Sequence, residues 1–282
     1  MASQESRPVA LISGASSGIG AAIATSLVEH GYRVFGTARN PDRPAKVSGV
    51  EMLPLDVRSL TSVQDCVKTV LDRAGHIDVL VNNAGTALVG AAEECSDEEI
   101  ATQFDVNFFG LVRMTRAVLP SMRERRRGHI VNIGSVAGKV AIPFMAFYSA
   151  SKAAIEGYSE ALLHELMPFG VHVSVIEPGF IHTELAGHSA SAAAPIAAYD
   201  PWRRAASKSI QHQIETSPEP SVVAKSVLNA VQSQNPRLRY PSGSAGTILM
   251  ARALSPDTLF FRIIRARFGL NIVPHQNVVP RS

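Results

Sequence analysis

Short apolar runs rich in β-branched residues alternate along this chain with stretches of helical periodicity, and that alternation admits few folds. VALISG occupies residues 9–14, a helical pattern follows near 18–30, and YRVFGTA fills 32–38. MLPLDV at 52–57, a helical pattern near 60–74 and IDVLVNNAG at 77–85 continue the series. A long helical pattern around 97–127, the strand HIVNIGS at 129–135, a helix around 148–167 and VHVSVIEPG at 171–179 complete it. Strand-helix-strand units of this kind build parallel sheets through right-handed crossovers, and near-continuous apolar strands are those buried on both faces.

The fold class predicted is therefore α/β, a single Rossmann-type doubly wound parallel sheet with helices on both faces and a C-terminal helical extension. At 282 residues, 46% hydrophobic and 18% charged, with no low-complexity block, the chain can bury a sizeable core in one domain. A net charge of +3 and a pI near 9.0 raise the question of nucleic acid. Much of the excess sits in Arg123, Arg125, Arg126 and Arg127 at the end of a helical pattern, where cations complement the helix dipole. That cluster reads as a solvated helix end, so no nucleic-acid role is expected. The amino terminus lacks a basic segment followed by a long apolar one, which predicts no secretory leader. Cys66 and Cys95 stand alone, in no metal-ligand spacing, which points to a reducing cytoplasm and to no bound metal. Cys66 falls with Val63, Val67 and Val70 on what should be a helix's buried face. No apolar run reaches the roughly 18 residues of a membrane span.

Two local patterns carry chemistry. The run SGASSGIG places Gly14, Ser16, Ser17, Gly18, Ile19 and Gly20 between the first strand and the first helix. Glycine there permits a tight turn and close approach to a phosphate, while helix-terminal amides face the anion and the two serines can add hydroxyl contacts. Further on, Tyr148 and Lys152 stand four residues apart, on one face of a helix, with Ser135 upstream. A lysine beside a phenol should stabilise the phenolate and lower its pKa from about 10 toward neutrality.

Together these motifs resemble the short-chain dehydrogenase/reductase family, over roughly residues 8–183. The resemblance implies that Tyr148 is the general acid/base, that Ser135 holds the substrate oxygen, and that Lys152 binds the nicotinamide ribose while keeping the tyrosine proton labile. Asn107, in FDVNFFG, matches the asparagine that holds a water in the proton relay to Lys152. Tyr148 and Lys152 thus also belong to the cofactor site. Asp56 and Val57 would meet the adenine. Asn82, Asn83, Ala84 and Gly85 would line its ribose and brace the sheet, and Pro178, Gly179 and Thr183 would hold the nicotinamide carboxamide. The acid that grips the ribose of NAD(H) is replaced by Ala38 and Arg39 at the end of the second strand, which favours NADP(H) over NAD(H). His164 and His172 are read as hydrogen-bonding rather than catalytic.

Beyond the 8–183 core, residues 184–220 read as a substrate lid, alanine-rich between 186 and 220, with Pro195, Tyr199, Pro201 and Trp202. Phe144, Met145 and Phe147 near the catalytic tyrosine add to a lipophilic pocket, although Arg203 and Arg204 leave an anionic substrate open. The tail, 240–282, sets apolar clusters among arginines, with Pro256 dividing two short helical patterns. Packing over the pocket or a neighbouring subunit is preferred here to peripheral membrane contact. The tail and YRVFGTARN resemble the steroid- and retinoid-type, 17β-hydroxysteroid dehydrogenase-like branch. The function implied is an NADP(H)-dependent oxidoreductase interconverting a ketone or aldehyde and an alcohol on a lipophilic substrate. The alternatives are a catalytically silent NADP(H) sensor and a membrane-surface protein on a Rossmann scaffold. A homodimer or homotetramer pairing through 97–127 and 148–167 is expected by resemblance.

Overall fold

A computed structural model describes residues 7–40, 48–183 and 189–271. Seven strands form one parallel sheet: β1 (Val9–Ile12), β2 (Arg33–Ala38), β3 (Val50–Pro54), β4 (Val79–Asn82), β6 (Gly128–Ile133), β7 (Val171–Pro178) and β9 (Arg239–Ser242). Their order is β3-β2-β1-β4-β6-β7-β9. The chain winds outward from β1 one way through β2 and β3, then returns to β4 and winds the other way. The carboxyl ends of β1 and β4 therefore open a crevice at the switch point, where such sheets bind ligands. Two short strands, β5 (Leu88–Val89) and β8 (Ala190–Ser191), pair separately.

Two apolar layers sandwich the sheet. On one face α2 (Leu60–Ala74), α4 (Gly110–Arg125) and α5 (Ala146–Leu166) bury Val63, Val70, Met114, Met122, Leu162 and Leu166 against Leu11, Leu80 and Ile130. On the other, α1 (Gly18–Glu29) and α7 (Ser221–Gln232) bury Ile23, Leu27, Val223 and Val227 against Ile12, Val81 and Val131. Alternate residues of each strand feed opposite layers, as the strand's two-residue side-chain period requires. Cys66 lies with Val63, Val67 and Val70 on the buried face of α2, as expected, and burial pushes its thiol up to about 11.

Several expectations need correction. The long helix of 97–127 is α3 (Asp97–Phe104) and α4 joined by a π-helical segment at Asp105–Phe109, which contains Asn107. The third strand starts at Val50 and stops at Pro54, a proline tolerated there because β3 is an edge strand, and Leu55 N still donates to Ala38 O at 2.9 Å. β9 was not expected at all. The arginine cluster is only partly solvated: Arg125 donates to Ile77 O and to Asp78 Oδ1 at 2.8 Å, and Arg126, in the left-handed region, donates to Pro168 O. The Arg125 bonds tie the end of α4 to the base of β4, and the Arg126 bond ties it to the turn after α5. The segment 184–220 contains α6 (Asp200–Glu215), and the tail forms α8 (Ala245–Leu254) and α9 (Asp257–Arg267), divided at Pro256 as read. Residues 1–6 of the amino terminus, 184–188 of the segment read as a lid and 272–282 of the tail lie outside the described residues.

Candidate active site

The loop after β1 is built around space that only glycine leaves. Gly14 and Gly18 sit at φ +69° and +54°, and a Cβ on Gly20 would lie 2.1 Å from Gly14 O. The turn is held from the next strand over. Asn83 Nδ2 donates to Ser13 O and Gly14 O at 3.0 and 2.9 Å, and Ser13 Oγ accepts from Asn83 N and Ala84 N. Asn82 meanwhile donates to Thr115 Oγ1 and Asn132 Oδ1, bracing β4 against α4 and β6. The NNAG run thus shapes the phosphate loop, leaving the first amides of α1 facing the crevice.

At the end of β2, Arg39 borders the same crevice. Arg58 borders it too and forks onto Asp56, with Nη2 2.7 Å from Oδ2 and Nε 3.0 Å from Oδ1. The Arg58 hydrogen bond holds the Asp56 carboxyl below its usual range, and the Arg39 charge adds to it. Arg58 was missed in the sequence; its signal was its place two residues after Asp56. It gives this end of the crevice two guanidinium groups.

Ser135 follows β6, and its Oγ accepts from Ala137 N at 3.1 Å, capping a short turn. Tyr148 lies in the first turn of α5, and Ser135 acts on its phenol from the end of β6. Lys152, one turn further on, is buried; its Nζ donates to Ile133 O at 2.8 Å and stands 5.8 Å from the Tyr148 ring centroid. Burial pushes Lys152 down to about 8. Burial also pushes the Tyr148 phenol up, against a smaller lowering by the Ser135 bond. The expected lowering of the tyrosine by its lysine is therefore not what the protein alone produces. Desolvation of the phenolate outweighs a cation held beyond contact distance.

Among the remaining expected residues, Gly14, Ser16, Ser17, Gly18, Ile19, Gly20, Arg39, Asp56, Val57, Asn83, Ala84, Gly85, Ser135, Tyr148, Lys152, Pro178, Gly179 and Thr183 all border one cleft of about 820 Å³. Asn107 does not. Its Oδ1 accepts from Thr86 N, and its Nδ2 donates to Thr86 O and Ser151 Oγ, so the side chain is fully engaged behind the wall. The residues fit a nicotinamide dinucleotide: a glycine-only cradle for phosphate, guanidinium groups at one end and a Ser–Tyr–Lys set at the other.

Past Tyr148 the cleft is lined by Val89, Ile142, Met145, Phe180, Ile210 and Ile214, with Gln211 and Glu215 from α6. Phe144 and Phe147 are not among its walls. The segment read as a lid is fastened by buried Glu94, which accepts from Ala91 N, Ile196 N and Arg203, while Tyr199 Oη donates to Glu93. Arg203 also pairs with Asp200, and Arg204 lies 3.8 Å from it. Both arginines therefore face Asp200, Arg203 also facing Glu94, and neither lines the cleft.

Comparison with known proteins agrees with this geometry. The family model for short chain dehydrogenase matches residues 8–194. The 3-ketodihydrosphingosine reductase of Bacteroides thetaiotaomicron is 37% identical over 273 residues, covering 93% of this chain and 98% of that protein. Retinol dehydrogenase 8 of Bos taurus is 36% identical over 270 residues, 88% of this chain and 85% of that protein. A short-chain dehydrogenase structure from Streptomyces avermitilis superposes with a TM-score of 0.80 at 34% identity, covering 96% of this chain and all of that one. Related structures hold NAD in a Burkholderia phymatum protein (TM-score 0.76, 28% identity, 91% and 95% covered) and NADP in one from Burkholderia cenocepacia (0.71, 26%, 91% and 97%). With the glycine cradle, the Ser–Tyr–Lys set and the doubly wound sheet in place, this chain belongs to the short-chain dehydrogenase family of oxidoreductases.

Proposed function

We propose that the protein is an NADP(H)-dependent oxidoreductase interconverting a ketone or aldehyde and an alcohol on a lipophilic substrate. The observation that carries this is the placement of Ser135, Tyr148 and Lys152 between a glycine phosphate cradle and an apolar chamber in one cleft. The bound dinucleotide supplies or accepts the hydride. Ser135 holds the substrate oxygen and Tyr148 Oη gives it a proton in reduction, or takes one in oxidation. Lys152, anchored at Ile133 O, is placed for the ribose hydroxyls, and its ammonium stabilises the phenolate left when Tyr148 gives up its proton, until a proton from solvent restores the phenol. A relay through Asn107 would have to run through its main chain, because its amide is engaged.

Arg39 and Arg58 favour a 2′-phosphate, since a guanidinium grips that group bidentately. The apolar walls past Tyr148, and the lipid-like substrates in the names of the two relatives, support a lipophilic substrate. Residues 184–220 act as the lid over that chamber. The two cysteines are free, which suits a reducing cytoplasm. We further read the protein as a homo-oligomer pairing through α4 and α5.

The test is NADPH oxidation with a panel of ketones and aldehydes from small aromatics to retinal and steroids. Tyr148→Phe is expected to bind NADPH like the parent and to lose about 10²–10⁴-fold in turnover, the usual worth of a positioned acid. A parent that binds NADPH and reduces nothing on the panel would put the silent-sensor reading first.

A further inference from the structure

The two faces of α8 and α9 have different fates. One face of α9 packs inward: Phe260, Ile264 and Phe268 recur every fourth residue, and Phe260 and Phe268 are buried. Phe268 joins Ile210 of α6 and Met145 in one apolar cluster, against which Tyr148 also packs. Arg267 Nε donates to Gln213 Oε1 at 2.6 Å, and Ser209 Oγ donates to Arg267 O at 2.8 Å, so α9 is fastened to the lid helix. This much is the packing the sequence led us to expect.

The other surface is left open. Met250 is 63% exposed, Leu254 79%, Leu259 48%, Phe261 54% and Ile263 50%. Single exposed apolar residues are ordinary, but among the described residues five of the eight large ones fall on these two helices. Met250 and Leu254 share one face of α8, and Leu259 and Ile263 share one face of α9. The helices touch where the Arg252 guanidinium lies 5.2 and 5.6 Å from the Phe260 and Phe261 rings. The apolar set is flanked by charge of one sign. Residues 245–271 contain Arg252, Arg262, Arg265 and Arg267 but a single acid, Asp257, which pairs with Arg252 at 2.8 Å.

That combination selects among occupants. A second copy of this face would set arginines against arginines, a like-charge cost that an isologous contact cannot avoid. A bilayer carrying anionic headgroups meets both requirements, with acyl chains for the apolar side chains and phosphates for the guanidinium groups. No helix among the described residues is long and apolar enough to cross a membrane, so the contact is one of helices lying in the interface. We propose that the exposed face of α8 and α9 docks the protein peripherally on anionic lipid bilayers. Because the inner face of α9 lies on α6, and α6 lines the cleft through Ile210 and Ile214, docking through the outer face sets the substrate chamber one helix layer from the lipid.

Flotation of the full chain tests this, using vesicles of phosphatidylcholine alone or mixed with phosphatidylserine, at low and high salt. The parent should float with the mixed vesicles only, and salt should release it. Phe261→Glu with Ile263→Glu should abolish flotation. Arg262→Glu with Arg265→Glu should cut binding to mixed vesicles by more than the roughly fivefold per charge expected of a cation at an anionic surface. Thermal melts and NADPH binding, read alongside, are expected to match the parent in both variants, so loss of flotation is not loss of fold, and the result does not depend on finding a substrate. No flotation of the parent, or equal flotation with both vesicle types, overturns the proposal. So does a parent that stays unbound and whose sedimenting mass falls when Phe261 and Ile263 are changed, because the face is then a contact between copies.

Discussion

Lys152 combines two properties that pull apart: it is buried, which favours the neutral amine, and its role calls for the ammonium. With its pKa brought down to about 8, the charge is present below that pH and lost above it. The phenol of Tyr148 is pushed the other way and keeps its proton at neutral pH, the form that reduction needs. The falling limb of kcat/KM for reduction should therefore appear near pH 8 and belong to the lysine. Lys152→Arg, permanently charged, should move that limb upward even if it lowers the plateau. A limb unmoved by the substitution would assign it to another group. The pairing of Tyr148 with Lys152 was legible from spacing, but the direction of the tyrosine shift was not, because desolvation depends on residues brought in from β6. Arg58 was harder to read: its nearness to Asp56 was a signal, but only the fold brings it to the same cleft as Arg39. Removing either guanidinium should weaken NADPH binding by about 1–3 kcal/mol and leave NADH nearly unchanged, as expected for a charge-assisted bond to one phosphate. Fluorescence titration of Arg39→Ala and Arg58→Ala with both dinucleotides measures this, and parallel losses for NADPH and NADH would remove the phosphate role.

Among the elements, β1, β2, β4, β6 and β7 and the helices α1, α2 and α5 announced themselves by periodicity, since each buries a run or stripe long enough to read. β9 did not. It is four residues, RYPS, with a proline and an arginine in it, and it pairs on one side only, with β7. A strand at a sheet edge needs neither length nor a continuous apolar run. The π-helical segment was equally silent, because one widened turn leaves the surrounding apolar stripe in place. β6 carries its own consequence. His129 is buried within it, its Nε2 3.0 Å from Ser174 Oγ on β7, and burial, with the nearby His172, lowers its pKa to about 3. Between an unfolded value near 6.5 and that folded value, the unfolded chain takes up a proton that the fold refuses, so stability falls as pH falls through this window. At pH 5 the loss attributable to His129 is about 2 kcal/mol relative to neutral pH. In urea titrations, His129→Gln should narrow the difference in unfolding free energy between pH 7 and pH 5 by that amount. An unchanged gap would mean that the histidine is protonated in the fold.

At the scale of the whole molecule, the surface of α5 away from the sheet is lined by small residues. Ala153, Gly157 and Ala161 are exposed at successive turns, and a Cβ added to Gly157 would meet nothing within 4 Å. Nearby, Phe108 packs edge-on against Tyr158 of α5, and its neighbour Phe109 is 49% exposed. Small side chains let two helices approach closely, and an exposed phenylalanine beside them is covered when they do. Within one copy there is no packing reason for glycine at position 157, and a helix interior with glycine is weaker by about 0.5–1 kcal/mol than with a side chain. Gly157→Arg is thus sterically free in the monomer and should, if anything, strengthen α5, while in a paired α5 it sets a long charged side chain where two helices meet. Sedimentation should show the parent as a dimer or tetramer and Gly157→Arg at a smaller mass, with far-ultraviolet dichroism intact and a thermal midpoint lowered only where the parent gains stability from assembly. The same mass for parent and variant would remove α5 from the interface and leave its small-residue face without a role in assembly.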